Sequence, residues 1–153
     1  MRFPSNIREQ LFELCLSRIR EKLVYAREYL DSVNESVHDE TKSSAGDKHE
    51  TGRAMAQIEQ EKAARQVTDL VKQEEDLLRI RDAIPGEVAD RGAIVITGTQ
   101  NFYISIAVGA ITVGKDHFYA ISPVSPIGQL VMGKKPFECF SLNGHQFCIE
   151  AVL

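Results

Sequence analysis

The sequence predicts an α+β protein of two modules: an N-terminal antiparallel α-helical coiled-coil hairpin over residues 1–84, then a small antiparallel β domain with one short helix over residues 85–153. Three observations carry this. A heptad pattern of apolar residues runs through the first third of the chain. Charge then thins abruptly: residues 1–84 hold 14 Lys/Arg and 17 Asp/Glu, residues 85–153 only 4 and 5, with Pro85-Gly86 at the change. Beyond it, short β-branched and aromatic runs alternate with turn residues. At 153 residues and 43% apolar composition the chain has material for a modest core, and disorder is not expected.

The first element opens at Ser5, a residue type that N-caps helices. Phe12, Leu16, Ile19, Leu23, Ala26, Leu30, Val33 and Val37 then alternate spacings of four and three, a seam sustained for more than three heptads. A helix from Ser5 to His38 is on the order of 50 Å long at 1.5 Å per residue. A stripe of that length needs a partner helix. Residues Thr51 to Ile84 supply one: they contain no Pro, and Ala56, Ala63, Val67, Leu70, Leu77 and Ile84 continue a weaker register, interrupted by Gln60, Glu74 and Arg81. A parallel dimeric coil is the alternative, but Ser43-Ser44-Ala45-Gly46 breaks the pattern in its middle, which favours an intramolecular hairpin.

The connecting turn, residues 39–51, is therefore the tip of the hairpin, and it is acidic. Asp47 stands three residues before Glu50, the form of an Asp N-cap with its capping-box Glu. The same cluster, Asp39, Glu40, Asp47 and Glu50, has the hard oxygen donors that Mg²⁺ takes. His49 reads as a solvated loop histidine rather than a ligand.

In the second module Ala93 to Thr97 reads as a strand, Gly98 to Asn101 as a turn, Phe102 to Val108 as a second strand and His117 to Ile121 as a third. Ser125 is an N-cap with Pro126 at the first helical position. A short helix follows through Ile127, Leu130, Val131 and Met132 and closes at Gly133, with Lys134 and Lys135 at its C-terminal end. The chain ends in a hairpin whose register can be calculated. If Asn143-Gly144 form a two-residue type I′ turn, Leu142 faces His145, Phe140 faces Phe147 and Cys139 faces Cys148. Phe140, Leu142, Phe147 and Ile149 share the core face. We read the opposed cysteines as reduced and half-buried, with a disulfide or a metal site as the alternatives, and Cys15 as a packing residue.

Several classes are disfavoured. The net charge is −4 and both modules are acidic, so sequence-specific DNA binding through phosphate contacts is not expected. No apolar run reaches the roughly 18 residues of a membrane span, and the charged N-terminus lacks a signal-peptide core. Three scattered cysteines do not make a disulfide framework, and we read the protein as cytoplasmic.

The segment Ile121-Ser122-Pro123-Val124-Ser125-Pro126-Ile127-Gly128-Gln129-Leu130-Val131-Met132-Gly133-Lys134-Lys135 resembles the "ISP-SPIG-ALLGKK" segment of the C-terminal domain of the Gre transcript-cleavage factors. The order of modules is similar too, and Gly46-Asp47-Lys48-His49-Glu50 resembles that family's acidic tip. The resemblance implies an FKBP-like C-terminal domain that binds the bacterial RNA polymerase core, here through Ser122, Pro123, Ser125, Pro126, Ile127, Gly128, Gly133, Lys134 and Lys135. It implies a coiled coil that enters the polymerase secondary channel, where Asp47 and Glu50 help hold a Mg²⁺ ion shared with the polymerase, with Asp39 and Glu40 as possible helpers. The polymerase itself then cleaves the backtracked RNA 3′ end, so the chain modulates catalysis and is not an enzyme alone. Thr51, Arg53 and Ala54 depart from the family, which has Asn, an acidic residue and Tyr there. The departures leave open a factor that occupies the channel without stimulating cleavage. Two other classes stay open: a peptidyl-prolyl isomerase with a coiled-coil chaperone arm, and a coiled-coil adaptor whose tip carboxylates only cap a helix.

Overall fold

The apolar seam becomes the inner face of two long helices. The computed structural model describes residues 3–42, 46–84 and 86–153, with side chains throughout except at residues 40–42 and 46–49. Helix α1 spans Ile7–Lys42 and α2 spans Gly46–Arg79. Every α1 seam residue from Phe12 to Val37 is buried or half-buried. Low numbers in α1 meet high numbers in α2: Arg20 pairs with Glu74 at 3.1 Å, Gln60 donates to Asn34 at 2.7 Å, and the Tyr29 hydroxyl donates to Glu59. The helices are therefore antiparallel. The polar interruptions of the second seam thus become cross-links, since Gln60 and Glu74 each bond across to α1.

The helix ends differ from the sequence reading. The first intrahelical bond runs from the Gln10 N–H to the Asn6 carbonyl, so Asn6 rather than Ser5 occupies the cap position of α1. At the other end α1 continues past His38 to Lys42, and α2 stops at Arg79 rather than Ile84. Ile84 is 91% exposed and is not a seam residue.

The chain divides into two compact units, Ile19–Glu74 and Met1–Arg18 with Glu75–Leu153. In the second of these, the base of α1 carries an additional apolar stripe, Ile7, Leu11 and Cys15, all buried. This stripe faces the sheet. The Cys15 thiol lies 3.9 Å from the Ser105 hydroxyl, Phe3 packs on Phe118 with ring centroids 5.6 Å apart, and Arg8 donates to the Gly92 carbonyl. Gly92 sits at φ +84°, and a β-carbon there would come within 2.7 Å of the Ala83 β-carbon, so only glycine lets the chain pass so close. Arg81 reaches back to the same helix base, its guanidinium 5.1 Å above the Phe12 ring and 3.8 Å from the Glu13 carboxylate.

Six strands form one sheet in the order β3-β4-β2-β1-β6-β5: β1 Ile94–Thr97, β2 Asn101–Ile104, β3 Gly109–Val113, β4 Asp116–Ile121, β5 Cys139–Leu142 and β6 His145–Val152. The sheet is mostly antiparallel. The exception is β2 beside β4, which run parallel because the chain leaves β2, forms the edge strand β3 first, and folds back as β4 between them. The run 102–108, expected as one strand, stops pairing after Ile104, and Gly109–Val113 forms a separate strand, β3, that its sequence does not announce. Helix α3, Pro126–Val131, contributes buried Val131 and partly buried Ile127 and Leu130 to a core with Val95, Phe102, Ile104, Phe140, Phe147 and Ile149. Phe102 is its hub, with ring contacts to Phe140 at 6.4 Å and Phe147 at 5.7 Å.

The terminal hairpin takes the calculated register: Cys139 opposite Cys148, Phe140 opposite Phe147 and Leu142 opposite His145. Asn143 and Gly144 both have positive φ, 53° and 80°, as a type I′ turn requires. The expected state of the cysteines is corrected. Cys139 and Cys148 are joined by a disulfide and both are exposed. Their side chains alternate with Phe140, Phe147 and Ile149, which places them on the outer face of the strands, with Cα atoms 4.1 Å apart.

Candidate functional site

The helices converge on a shorter connection than the sequence suggests. The predicted turn over residues 39–51 is mostly helical, because α1 runs to Lys42 and α2 resumes at Gly46. Asp47 is therefore already within α2, one residue past its start, rather than at the cap position before it. The side chains of Asp47, Glu40 and His49 lie outside the described residues. Asp39, near the end of α1, and Glu50, in the second turn of α2, are both exposed. Carboxylates near a helix N-terminus are favoured by its dipole, and exposed carboxylates suit a hard cation that keeps most of its waters. Among the described residues no group of three or more His, Cys, Asp or Glu is arranged to hold an ion. The donor types at the tip fit Mg²⁺, but the described side chains do not form a cage for it.

Arg53 stands on the half-buried side of α2, and its Nε is buried without a hydrogen-bond partner among the described residues. Thr51 is exposed. Further along the same helix pair, the hydrogen bond to Glu59 raises the Tyr29 pKa above that of an ordinary phenol.

The Ser122–Lys135 segment is built with more constraint. After β4 the Ser122 carbonyl accepts the Ser125 hydroxyl at 2.7 Å and the Ser125 N–H at 3.1 Å, while Ser125 Oγ accepts from the Gly128 N–H at 3.1 Å. Ser125 is thus the N-cap of α3, with extended backbone and Pro126 behind it, as the sequence predicts. Gly128 is buried, and a β-carbon on it would lie 2.0 Å from the Ser122 oxygen. No other residue fits between the helix and the turn that feeds it. Gly133, at φ +81°, ends the helix, and its N–H donates to the Ala89 carbonyl at 2.8 Å while the Ala89 N–H donates to Lys134.

The nine residues singled out in this segment therefore divide. Ser122, Ser125, Gly128 and Gly133 shape the turn and the helix ends, and Ile127 packs against the core. Pro126 and Lys135 are exposed, and Pro123 and Lys134 half-exposed, so these are the side chains available to a partner. Val124 and Gln129 join them on the surface and had no individual weight in the sequence reading.

Two features were not anticipated. A largely apolar cleft of about 760 Å³ opens between Phe3, Ile7, Arg8, Ile94, Ile96 and Val152. Burial there lowers the Arg8 pKa, partly offset by the nearby Tyr103 phenol. The other is Phe137, which is 88% exposed and has φ +75°, a backbone region that disfavours side chains. No described helix is long and apolar enough to cross a membrane. No protein-family model matches this sequence, and no curated protein matches it significantly.

Proposed function

We propose that this chain is a Gre-like regulator of transcription elongation that binds the RNA polymerase core and inserts its helical pair, as a coiled coil, into the polymerase secondary channel. The Ser122–Lys135 segment carries the reading. Its resemblance is to a motif, and four positions of that motif each have a distinct structural job here: Ser125 caps, Pro126 starts the helix, Gly128 admits the Ser122 carbonyl and Gly133 ends the helix. The segment presents Pro126, Lys134 and Lys135 outward on what we take to be an FKBP-like domain.

The antiparallel helices, 36 and 34 residues long, carry the acidic tip. In this reading Asp47 and Glu50, assisted by Asp39 and Glu40, supply carboxylate oxygens toward a Mg²⁺ ion held mainly by the polymerase. Such an ion activates water and stabilises the charge that develops in phosphodiester cleavage. The protein's own part is to deliver and orient carboxylates beside the backtracked RNA 3′ end; the polymerase performs the cleavage, in the cytoplasm.

A stalled, backtracked elongation complex tests this. Adding the protein should accelerate release of the RNA 3′ fragment, and the Asp47→Ala/Glu50→Ala double variant should bind polymerase but lose the acceleration. Failure to bind core polymerase would overturn the proposal. Arg53 favours a second reading, in which the protein occupies the channel and slows elongation without stimulating cleavage. Its guanidinium lies three positions after Glu50 and opposes a cation there. Arg53→Asp then separates the two, because restoring acidity at this position should convert an inhibitor into a cleavage factor.

A further inference from the structure

The terminal hairpin carries a pair of sulfurs that the polymerase reading does not use. Cys139 and Cys148 are bonded on the outer face of β5 and β6, and both are exposed. The opposite face carries Phe140, Phe147 and Ile149 into the core, and the turn is closed by Asn143-Gly144 in its own preferred geometry. Past Cys139 the pairing is extended by the Phe137 N–H donating to Ile149 at 2.7 Å and the Ile149 N–H donating to Glu138 at 2.9 Å. None of these interactions depends on the sulfur–sulfur bond. The cross-link closes a loop that the fold already closes.

A cavity of about 460 Å³ lies beside this disulfide on the Cys148 side: its lining includes Cys148 but not Cys139, together with Thr99, Phe137 and Gln146. Phe137, at a positive-φ position and 88% exposed, forms part of its wall and leaves it open to solvent. Exposed disulfides are the labile ones, and in reducing compartments those that form are mostly transient, catalytic or sensing.

We propose that Cys139–Cys148 is a reversible redox site, opened by a small dithiol that enters beside Phe137 and attacks Cys148. The reductant's thiolate bonds to Cys148 Sγ as the Cys139–Cys148 bond breaks; the electron pair leaves on Cys139 Sγ, which takes up a proton. The reductant's second thiolate then attacks its own mixed-disulfide sulfur, forming the cyclic disulfide of the reductant and releasing Cys148, which is protonated in turn. Two electrons and two protons pass from the dithiol to the cysteine pair. Because the strands stay paired, the two thiols remain opposed and oxidation regenerates the same bond. The proposal stands independently of any role at the polymerase.

The third cysteine provides an internal control. Cys15 is buried and its pKa is pushed up to about 11, so it stays protonated and inaccessible while the protein is folded. The folded full-length chain is incubated with dithiothreitol without denaturant, then alkylated and mapped by mass spectrometry. Cys139 and Cys148 should become alkylated, Cys15 should not, the circular dichroism spectrum should be unchanged, and oxidised glutathione should restore the disulfide in an unalkylated sample once the dithiothreitol has been removed. Reduction only in denaturant, or loss of the sheet signal on reduction, would overturn the proposal. Single variants test the point of attack. Given hydroxyethyl disulfide, Cys148 in Cys139→Ser should form the mixed disulfide faster than Cys139 does in Cys148→Ser, and equal or reversed rates would overturn it.

Discussion

The two compact units are held together by different means, and the contrast separates where this protein is strong from where its proposed chemistry sits. In Ile19–Glu74 the buried residues, among those described, form a single narrow seam, Ile19, Leu23, Ala26, Val33, Ala63 and Leu70, two of them alanines. Exposed polar cross-links such as Arg20–Glu74 flank it. In the other unit, sheet strands, α3 and the base of α1 bury aromatic and branched side chains on more than one side. The acidic tip rides on the first kind of structure and the Ser122–Lys135 segment on the second. A site that only has to present carboxylates can tolerate a lean seam. A surface that must hold a fixed shape is built against a dense core.

The largest expected effect tests that core. Phe102→Ala removes the ring that touches both Phe140 and Phe147, and large aromatic truncations cost about 3–5 kcal/mol. Denaturant unfolding monitored by sheet circular dichroism should show it. Leu23→Ala should cost less, about 2–3 kcal/mol, since the seam around it is narrow. Hydrogen exchange should confine its effect to residues 19–74; equal losses across both units would erase the contrast.

A pH series comes next in size. Burial raises the Cys15 pKa to about 11 from the 9.0 of a free thiol. Between those values the unfolded chain loses this proton while the folded chain keeps it, so the contribution of Cys15 to stability should be level below pH 9, fall at about 1.4 kcal/mol per pH unit from there to about pH 11, and level off beyond. Tyr103, whose pKa burial also raises, adds a further fall once pH passes that of a free phenol. Cys15→Ala should remove the slope between pH 9 and 10, and an unchanged slope would show that Cys15 is not the cause.

Where a single periodicity dominates, the sequence was legible. The α1 seam and the terminal hairpin register were both calculable, one from alternating spacings of three and four, the other from a two-residue turn that fixes every opposed pair. The second stripe, Ile7-Leu11-Cys15, was hidden because a helix packed on two sides carries two overlapping patterns and the longer one masks the shorter. Strand β3 was missed because it begins with an exposed Gly109-Ala110 pair and sits at an edge, where alternation is weak. The helix ends at the tip lie in polar sequence with no period to mark them. For the cysteines, register gave the opposition, but the bond between them is a matter of oxidation state, which no pattern of side chains encodes. In the Ser122–Lys135 segment the cap, the first-turn proline and the closing glycine were readable, whereas the need for Gly128 depends on a carbonyl brought near only by the fold.

The smaller effects sharpen the comparison at single interactions. Ser125→Ala removes the oxygen that accepts from the Gly128 N–H and the hydroxyl that donates to Ser122, at about 1 kcal/mol for a lost cap. Ser125→Asp should recover the cap but not the bond to the Ser122 carbonyl. If the polymerase binding proposed for this segment follows the cap, Ser125→Asp restores it; if it follows the shape of the turn, the loss persists although stability returns.

Smallest of all should be the Arg20–Glu74 pair. Its atoms are 3.1 Å apart, but the Arg20 side chain is 59% exposed, so water and salt screen most of the attraction. A double-mutant cycle with Arg20→Ala and Glu74→Ala should give a coupling under about 0.5 kcal/mol that vanishes in high salt. A coupling that is larger and insensitive to salt would mean that the polar interruptions of the seam hold the helices in register as firmly as the apolar positions do. The lean unit would then owe its order to its charges, and Glu74 would belong among the residues that position the tip.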